Sequence, residues 1–276
     1  MTEPDNHDQI HSPSYTLAAL DQDFLLGDSM RGVRFLLEYA KAEERLRAWG
    51  VRSTIVVFGS ARTTEVSDGS VQGDHRARWY DQARRFAKLA SEKGGSLYPM
   101  NGQRDNVIAT GGGGGIMEAA SRGAWEAGAP AIGFNIMLPH EQQPNAYLTP
   151  DLTFNFHYFA MRKMHLAMRA NALVVFPGGF GTMDEMFEIL TLHQTGKVSS
   201  VPIVLFDRAY WSKLINFEFL IEERMIEAKD LMLFSFADDY EELWMRLIKR
   251  GLVEHTPEHA QPKPPEGRTP TPSGAS

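Results

Sequence analysis

Residues 172–196 read ALVVFPGGFGTMDEMFEILTLHQTG. A valine-rich apolar run stops at Pro177, glycines follow at 178, 179 and 181, and an amphipathic stretch continues to Gly196. Short β-branched runs bounded by Pro and Gly read as strands, and the spacing beyond Gly181 reads as a helix. Glycines at such a junction let backbone approach a ligand closely, while the first turn of the helix offers N–H groups with no partner inside it. The turn is suited to an anion, yet Asp184, Glu185 and Glu188 follow it directly. A functional reading has to account for both.

The same alternation extends in both directions. A helix capped by Asp28 or Ser29 runs to Gly50, followed by a strand in STIVVFG (53–59), a helix over 75–94, and NVIATGG (106–112) opening into IMEAASRGAWEAG (116–128). PAIGFNIML (130–138), LTFNFH (152–157) and a helix over about 158–170 lead to the stretch quoted above. Beyond it come VPIVLFD (201–207), a helix near 210–228, the run LMLFSFA (231–237) and a last helix over 240–251. Apolar strands separated by amphipathic helices indicate βαβ units and a parallel sheet buried on both faces. The predicted fold is α/β, a doubly wound, Rossmann-like, mostly parallel sheet with helices on both faces. Residues 28–254 are expected to form a single nucleotide-binding domain, with a loose polar arm over 1–27 and a disordered Pro-rich tail over 255–276.

Composition narrows the chemistry. The 276-residue chain has 43% hydrophobic and 23% charged residues, values typical of a water-soluble globular protein. A formal net charge of -7 argues against general nucleic-acid binding, which needs a basic surface to neutralise phosphates. With no cysteine, disulfides, thiolate metal sites and a Cys nucleophile are excluded. His75, His140, His157, His165 and His193 show no paired ligand spacing, so neither a metal nor a cofactor is expected. No apolar run is long enough to span a bilayer, and the expectation is a cytoplasmic protein with no membrane partner.

Ligands of doubly wound sheets bind beyond the carboxyl ends of the strands. Three loops there carry unusual chemistry: FGSAR (58–62), TGGGGGIMEAA (110–120) and PGGFGTMDE (177–185). The candidate substrate contacts are Gly59 and Ser60 in the first, Gly112, Gly113, Gly114 and Glu118 in the second, and Pro177, Gly178, Gly179, Gly181 and Thr182 in the third. The second loop does not fit a full dinucleotide site, because Ile116 follows the glycines and the next strand has no acidic residue for a ribose diol. Thr182 and Glu185 match a T-x-x-E capping box, in which Thr182 caps the helix. Glu185, at the helix mouth, is the acid best placed to face substrate, with Asp184 and Glu188 as solvated or hydrogen-bonded supports. Upstream, HYFAMRKMHLAMR (157–169) is a basic helix. Its Arg162 and Lys163 suit a phosphate clamp, while His165 and Arg169 read as an ordinary charged outer face.

TGGGGGIMEAA, LPHEQQPNAY (138–147), the Arg162–Lys163 pair and PGGFGTMDEMFEILTLHQTGK together resemble the LONELY GUY family, also labelled lysine decarboxylase-like. The likeness covers roughly 53–206. It implies a nucleoside 5'-monophosphate phosphoribohydrolase that cuts the N-glycosidic bond of AMP or a cytokinin ribotide, with no cofactor, assembled as a homodimer or larger. Carried over by position, it implies Arg162 and Glu185 as the catalytic pair. Lys163, Gly178, Gly179, Gly181 and Thr182 would hold the phosphate, with Thr191 a further contact. Phe180, Gly114 and Ser121 depart from the residues common in the family, as do the arm, the insertion over about 63–106 and the tail. A non-catalytic carrier of a nucleotide or phosphorylated cofactor is the alternative, since a phosphate turn shows binding and not turnover. A pyridoxal-phosphate decarboxylase using Lys163 is a more distant one.

Overall fold

The computed structural model describes residues 5–65, 75–138, 143–197 and 201–255. Its first strand, β1 (Thr54–Phe58), shows why the sequence alternates as it does. All five residues are buried. Ile55 and Val57 join a core on one side of the sheet, while Val56 and Phe58 join a second core on the other. Successive side chains of a strand point to opposite faces, so an unbroken apolar run is what a strand covered on both sides requires. Strands β2 (Val107–Thr110) and β6 (Ile203–Phe206) are buried throughout in the same way. With β3 (Ala131–Ile136), β4 (Thr153–Phe156), β5 (Ala170–Val175) and β7 (Ser235–Ala237) they form one seven-stranded sheet. Every pairing in it is parallel.

Two short N-terminal helices, α1 (His7–Ile10) and α2 (Gln22–Leu26), precede α3 (Arg31–Ala48). After β1 come α4 (His75–Lys93), α5 (Ile116–Glu126), α6 (Phe159–Met168), α7 (Phe180–Gln194), α8 (Arg208–Leu214), α9 (Phe217–Glu222) and α10 (Tyr240–Lys249). One face of the sheet is covered by α4, α5 and α10 through Phe86, Ala120 and Leu243, and the other by α3, α6 and α7 through Leu46, Leu166 and Met186. This is the doubly wound architecture expected from the sequence.

The strand order, β4-β3-β2-β1-β5-β6-β7, fixes where a ligand can sit. The chain builds outward from β1 to β4, then returns through α6 to place β5 on the other side of β1. The connections leaving β1 and β5 diverge at that point, and a crevice opens beyond their carboxyl ends. Phe176 N donates to Phe58 O (2.8 Å) and Ser60 N to Pro177 O (3.0 Å), carrying the β1–β5 pairing into both loops.

Several element boundaries differ from the sequence reading. The first long helix begins at Arg31 with no side-chain cap, because Asp28–Met30 forms a separate 3-10 turn. The helix expected near 210–228 is two, since Asp207 caps α8 and Asn216 caps α9. The run 231–237 is only partly strand, as Ala228–Leu233 forms a 3-10 helix before β7. His165 is not on an outer face. It is 1% exposed, stacked between Tyr39 and Phe134 where α6 meets α3 and β3. Arg169 is likewise drawn in, its Nη2 2.8 Å from Glu43 Oε2 on α3. Residues 5–27 carry the two short helices without a buried side chain. Residues 1–4, 66–74, 139–142 including His140, and the tail from 256 lie outside the described residues.

Candidate active site

A cavity of about 720 Å³ occupies the crevice between β1 and β5. Its floor is the loop after β1, from Gly59 to Thr63, and the turn after β5, from Pro177 to Thr182. Arg162 and Glu185 reach it from α6 and α7, while Trp79 from α4 and Tyr210 from α8 close one side.

The turn begins α7 earlier than the sequence reading placed it. The helix starts at Phe180, Gly179 is the N-cap residue, and no side chain caps it. Thr182 N and Met183 N both donate to Gly179 O. The expected capping box is therefore absent: Thr182 lies inside the first turn and Glu185 is the sixth residue of the helix, two beyond the N-terminal four. The N–H groups of Phe180 and Gly181 precede any intrahelical acceptor, and the helix dipole adds partial positive charge there. Phe180 itself is 89% exposed at the rim.

The acidic cluster divides by helical geometry. Asp184 and Glu188 lie four apart and share a face, where they hold Lys163 Nζ at 2.6 and 2.8 Å. Glu185 points elsewhere. It is 5% exposed, with Oε1 3.7 Å from Arg162 Nη1 at the cavity wall. Burial pushes the Glu185 carboxyl above the usual carboxylate range, with Arg162 and Lys163 pulling the other way. Burial also pulls the Arg162 guanidinium down, opposed by Glu185 and Asp184. A desolvated acid beside one cation is the environment in which proton-transfer chemistry is tuned.

Arg162 is held from several sides. Its Nε donates to Phe134 O within β3 (2.8 Å). Its Nη2 fills the space over Gly111, where a Cβ would stand 2.5 Å from it. The helix that carries it is fixed by α3, since Glu38 accepts from His157 N (2.8 Å) and Tyr158 N (3.3 Å) just before α6, and Arg34 Nε donates to Tyr158 Oη (2.8 Å).

The cavity brings together Gly59, Ser60, Arg162, Pro177, Gly178, Gly179, Gly181, Thr182 and Glu185. The remaining sequence candidates lie elsewhere. Gly112, Gly113 and Gly114 do not line it: Asn145 Nδ2 donates to Gly112 O (3.2 Å) and Gly113 O (3.0 Å), so protein occupies that turn. Glu118 accepts from Tyr80 Oη (2.9 Å) in the α4–α5 packing, and Thr191 Oγ1 donates to Phe187 O (2.7 Å) on the exposed side of α7. Lys163 faces a separate groove between α6 and α7. Burial opposes its charge, but the bonds to Asp184 and Glu188 keep its pKa above the ordinary lysine value. A Schiff-base lysine needs a free amine and a depressed pKa, so this arrangement does not suit the decarboxylase alternative. Sequence reasoning missed Arg62, Trp79, Met117 and Tyr210. Arg62 sits inside the flagged FGSAR loop, whereas Tyr210 follows the carboxyl end of β6, a loop the sequence reading did not single out although the strand-end rule applies to it as well.

The family described as possible lysine decarboxylase matches residues 117–247. A probable cytokinin riboside 5'-monophosphate phosphoribohydrolase, LOG4 of Oryza sativa subsp. japonica, is 29% identical over 196 residues, covering 69% of this chain and 78% of that protein. The chain is similar to proteins of the LONELY GUY family. LOG4 of Arabidopsis thaliana, named as the same kind of phosphoribohydrolase, is 26% identical over 158 residues, covering 56% of this chain and 69% of its own length. Among solved structures, the structural-genomics target TM1055 superposes with a TM-score of 0.47 at 21% identity, over 71% of this chain and 99% of that one. A molybdenum cofactor binding protein from Rippkaea orientalis gives 0.46 at 19%, over 72% and 96%. Among the described residues no cluster of three or more His, Asp or Glu could hold a metal ion, and no helix is long and apolar enough to cross a membrane.

Proposed function

We propose that the cavity between β1 and β5 hydrolyses the N-glycosidic bond of a purine nucleoside 5'-monophosphate, releasing the free base and ribose 5-phosphate. The observation that carries this reading is the division of the acids on α7. Asp184 and Glu188 are both paired with Lys163 on one side, which leaves Glu185 as the buried carboxylate beside Arg162 in the cavity. The relatives named as phosphoribohydrolases of a riboside 5'-monophosphate supply the reaction class.

In this mechanism the substrate phosphate sits on the N–H groups of the 178–182 turn at the start of α7. That contact anchors the sugar, so binding energy remote from the reacting atom orients C1' against Glu185. As the bond to the base nitrogen breaks, positive charge builds on C1' and the ring oxygen, and the Glu185 carboxylate stabilises it. A water adds to C1', giving its proton to Glu185. The electron pair of the broken bond leaves with the base nitrogen, which is protonated to the neutral free base as Glu185 gives its proton up again, directly or through solvent. Arg162 opposes the effect of burial on Glu185, favouring its ionised form, and orients it.

A panel of nucleoside 5'-monophosphates, assayed for free base and ribose 5-phosphate, tests the reaction. Glu185→Gln is expected to retain nucleotide binding and lose at least about a hundredfold in kcat, since the ionised group acts mainly in the transition state. A wild-type protein that retains a nucleotide and never cleaves it is instead a carrier.

A further inference from the structure

A chain of contacts reaches from α4 to the anion turn, and of its members only Gly178 was a site candidate in the sequence. Trp79 Nε1 donates to Asp207 Oδ2 (2.8 Å), and Asp207 Oδ1 accepts from Tyr210 N (3.0 Å). The Trp79 and Tyr210 rings meet edge to face, 5.5 Å apart. Tyr210 Oη then donates to Gly178 O (2.8 Å), at the start of the glycine turn. Asp207 makes its two bonds from a left-handed conformation, φ 69° and ψ 84°. A non-glycine residue held there persists only when its surroundings fix it, and such strain concentrates at functional sites.

Resting on the hydrolase reading, we infer that Tyr210 is a positioning residue that sets the phosphate-binding geometry of the 178–182 turn through the Gly178 carbonyl. The peptide between Gly178 and Gly179 is planar, so fixing its C=O fixes the direction of the Gly179 N–H. The turn is held from the opposite side as well, because Ser60 N bonds Pro177 O and a Cβ on Gly178 would collide with Thr182 Oγ1. Gly179 and Gly181 have no such confinement: a Cβ there would meet nothing within 4 Å. Tyr210 is the side-chain clamp on the carbonyl of an otherwise permissive loop. Burial holds its phenol above the ordinary tyrosine value, so it stays a neutral donor at physiological pH.

The test compares wild type, Tyr210→Phe and Trp79→Phe by calorimetric titration with ribose 5-phosphate, steady-state kinetics with a nucleoside monophosphate, and thermal melting. Losing one hydrogen bond that acts on the turn should weaken ribose 5-phosphate binding roughly three- to tenfold. KM should rise by a similar factor with kcat nearly unchanged, because the phosphate is held alike in ground and transition states. Trp79→Phe, which cuts the link to Asp207 and leaves Tyr210 in place, should shift affinity in the same direction by less, and it decides the matter if Tyr210→Phe does not fold. Unchanged ribose 5-phosphate affinity in the folded variants, or an effect confined to kcat or to the melting temperature, overturns the inference. Wild type that binds ribose 5-phosphate but cleaves no nucleotide defeats the hydrolase reading alone, since the calorimetric comparison still reports on Tyr210. Wild type that binds neither defeats both.

Discussion

At the scale of single residues, Arg162 depends on what is missing at Gly111. The guanidinium lies over the bare Cα, and an alanine methyl there would stand 2.5 Å from Nη2 and 2.9 Å from Met117 Sδ. Both are ends of flexible side chains, so Gly111→Ala is expected to fold with a stability loss of no more than about 2 kcal/mol. The guanidinium, however, would have to leave its place beside Glu185, and displacements of about 1 Å in a reacting site can cost about a hundredfold in rate. Urea denaturation read beside kcat/KM checks this: near-native stability with turnover reduced about ten- to a hundredfold is the expected pair. Gly111 was visible in the sequence only as one of five glycines in a row. The residue it accommodates comes from 51 positions later, and no local pattern could join the two. Arg162, Glu185 and the third glycine loop were legible because each is carried by a short motif whose chemistry is local. Lys163 was misplaced for the same reason, since adjacent residues on a helix diverge by about 100° and only packing decides which one meets the ligand.

Helices show a second limit of sequence reading. Periodicity found α4, α5, α7 and α10, but it ran through the break between α8 and α9, where Leu214 and Ile215 continue an apolar pattern and Asn216 starts a new helix with its own cap. It also put His165 outside, because histidine reads as polar whatever surrounds it. On α6 that ring is enclosed by Tyr39, Phe134 and Phe156, and among the described residues its nitrogens have no well-formed hydrogen bond, only a weak approach to the Tyr39 backbone that slightly favours the charged form. Burial, with Arg169 adding to it and Glu43 opposing, lowers the His165 pKa below the ordinary 6.5. The native state therefore keeps the ring neutral while the unfolded chain takes up a proton below about pH 6.5. Stability contributed by the neutral ring is present above that value and is lost as pH falls toward the native pKa. His165→Phe, an aromatic ring without a titrating nitrogen, is expected to remove this part of the pH slope and to match or exceed wild-type stability at pH 5. Equilibrium denaturation of both proteins at pH 5 and pH 7.5 measures it, and an unaltered slope in the variant would show that another group titrates.

For the molecule as a whole, the fold class follows from the strands being apolar on both faces, which the sequence states openly, while the site follows from strand order, which it does not. Only the return of the chain to β5 beside β1 brings residues 59–63 against 177–182, and the glycines of the two rich loops then separate into two kinds. Gly115 is architectural: its φ of +68° favours glycine, and a Cβ would collide with the Ser60 carbonyl and stand 2.7 Å from Ala61. Ile116 N donates to Ser60 O (3.0 Å) at this same contact, and Ser60 N passes the connection on to Pro177. Gly179 differs, with an ordinary φ of -93° and open space where a Cβ would go. Folding gives glycine there only the modest advantage over alanine of a helix N-cap, whereas a phosphate resting on the turn needs the open space. Gly115→Ala should therefore lose about 2 kcal/mol or more, from backbone strain and collision together. Gly179→Ala should lose no more than about 1 kcal/mol, the difference between glycine and alanine at a helix N-cap, yet bind ribose 5-phosphate at least about tenfold more weakly, because the added methyl enters the space the phosphate needs. Thermal melts and ribose 5-phosphate titrations of the two variants distinguish the roles. A Gly179→Ala protein that binds like wild type would put the phosphate somewhere other than on this turn.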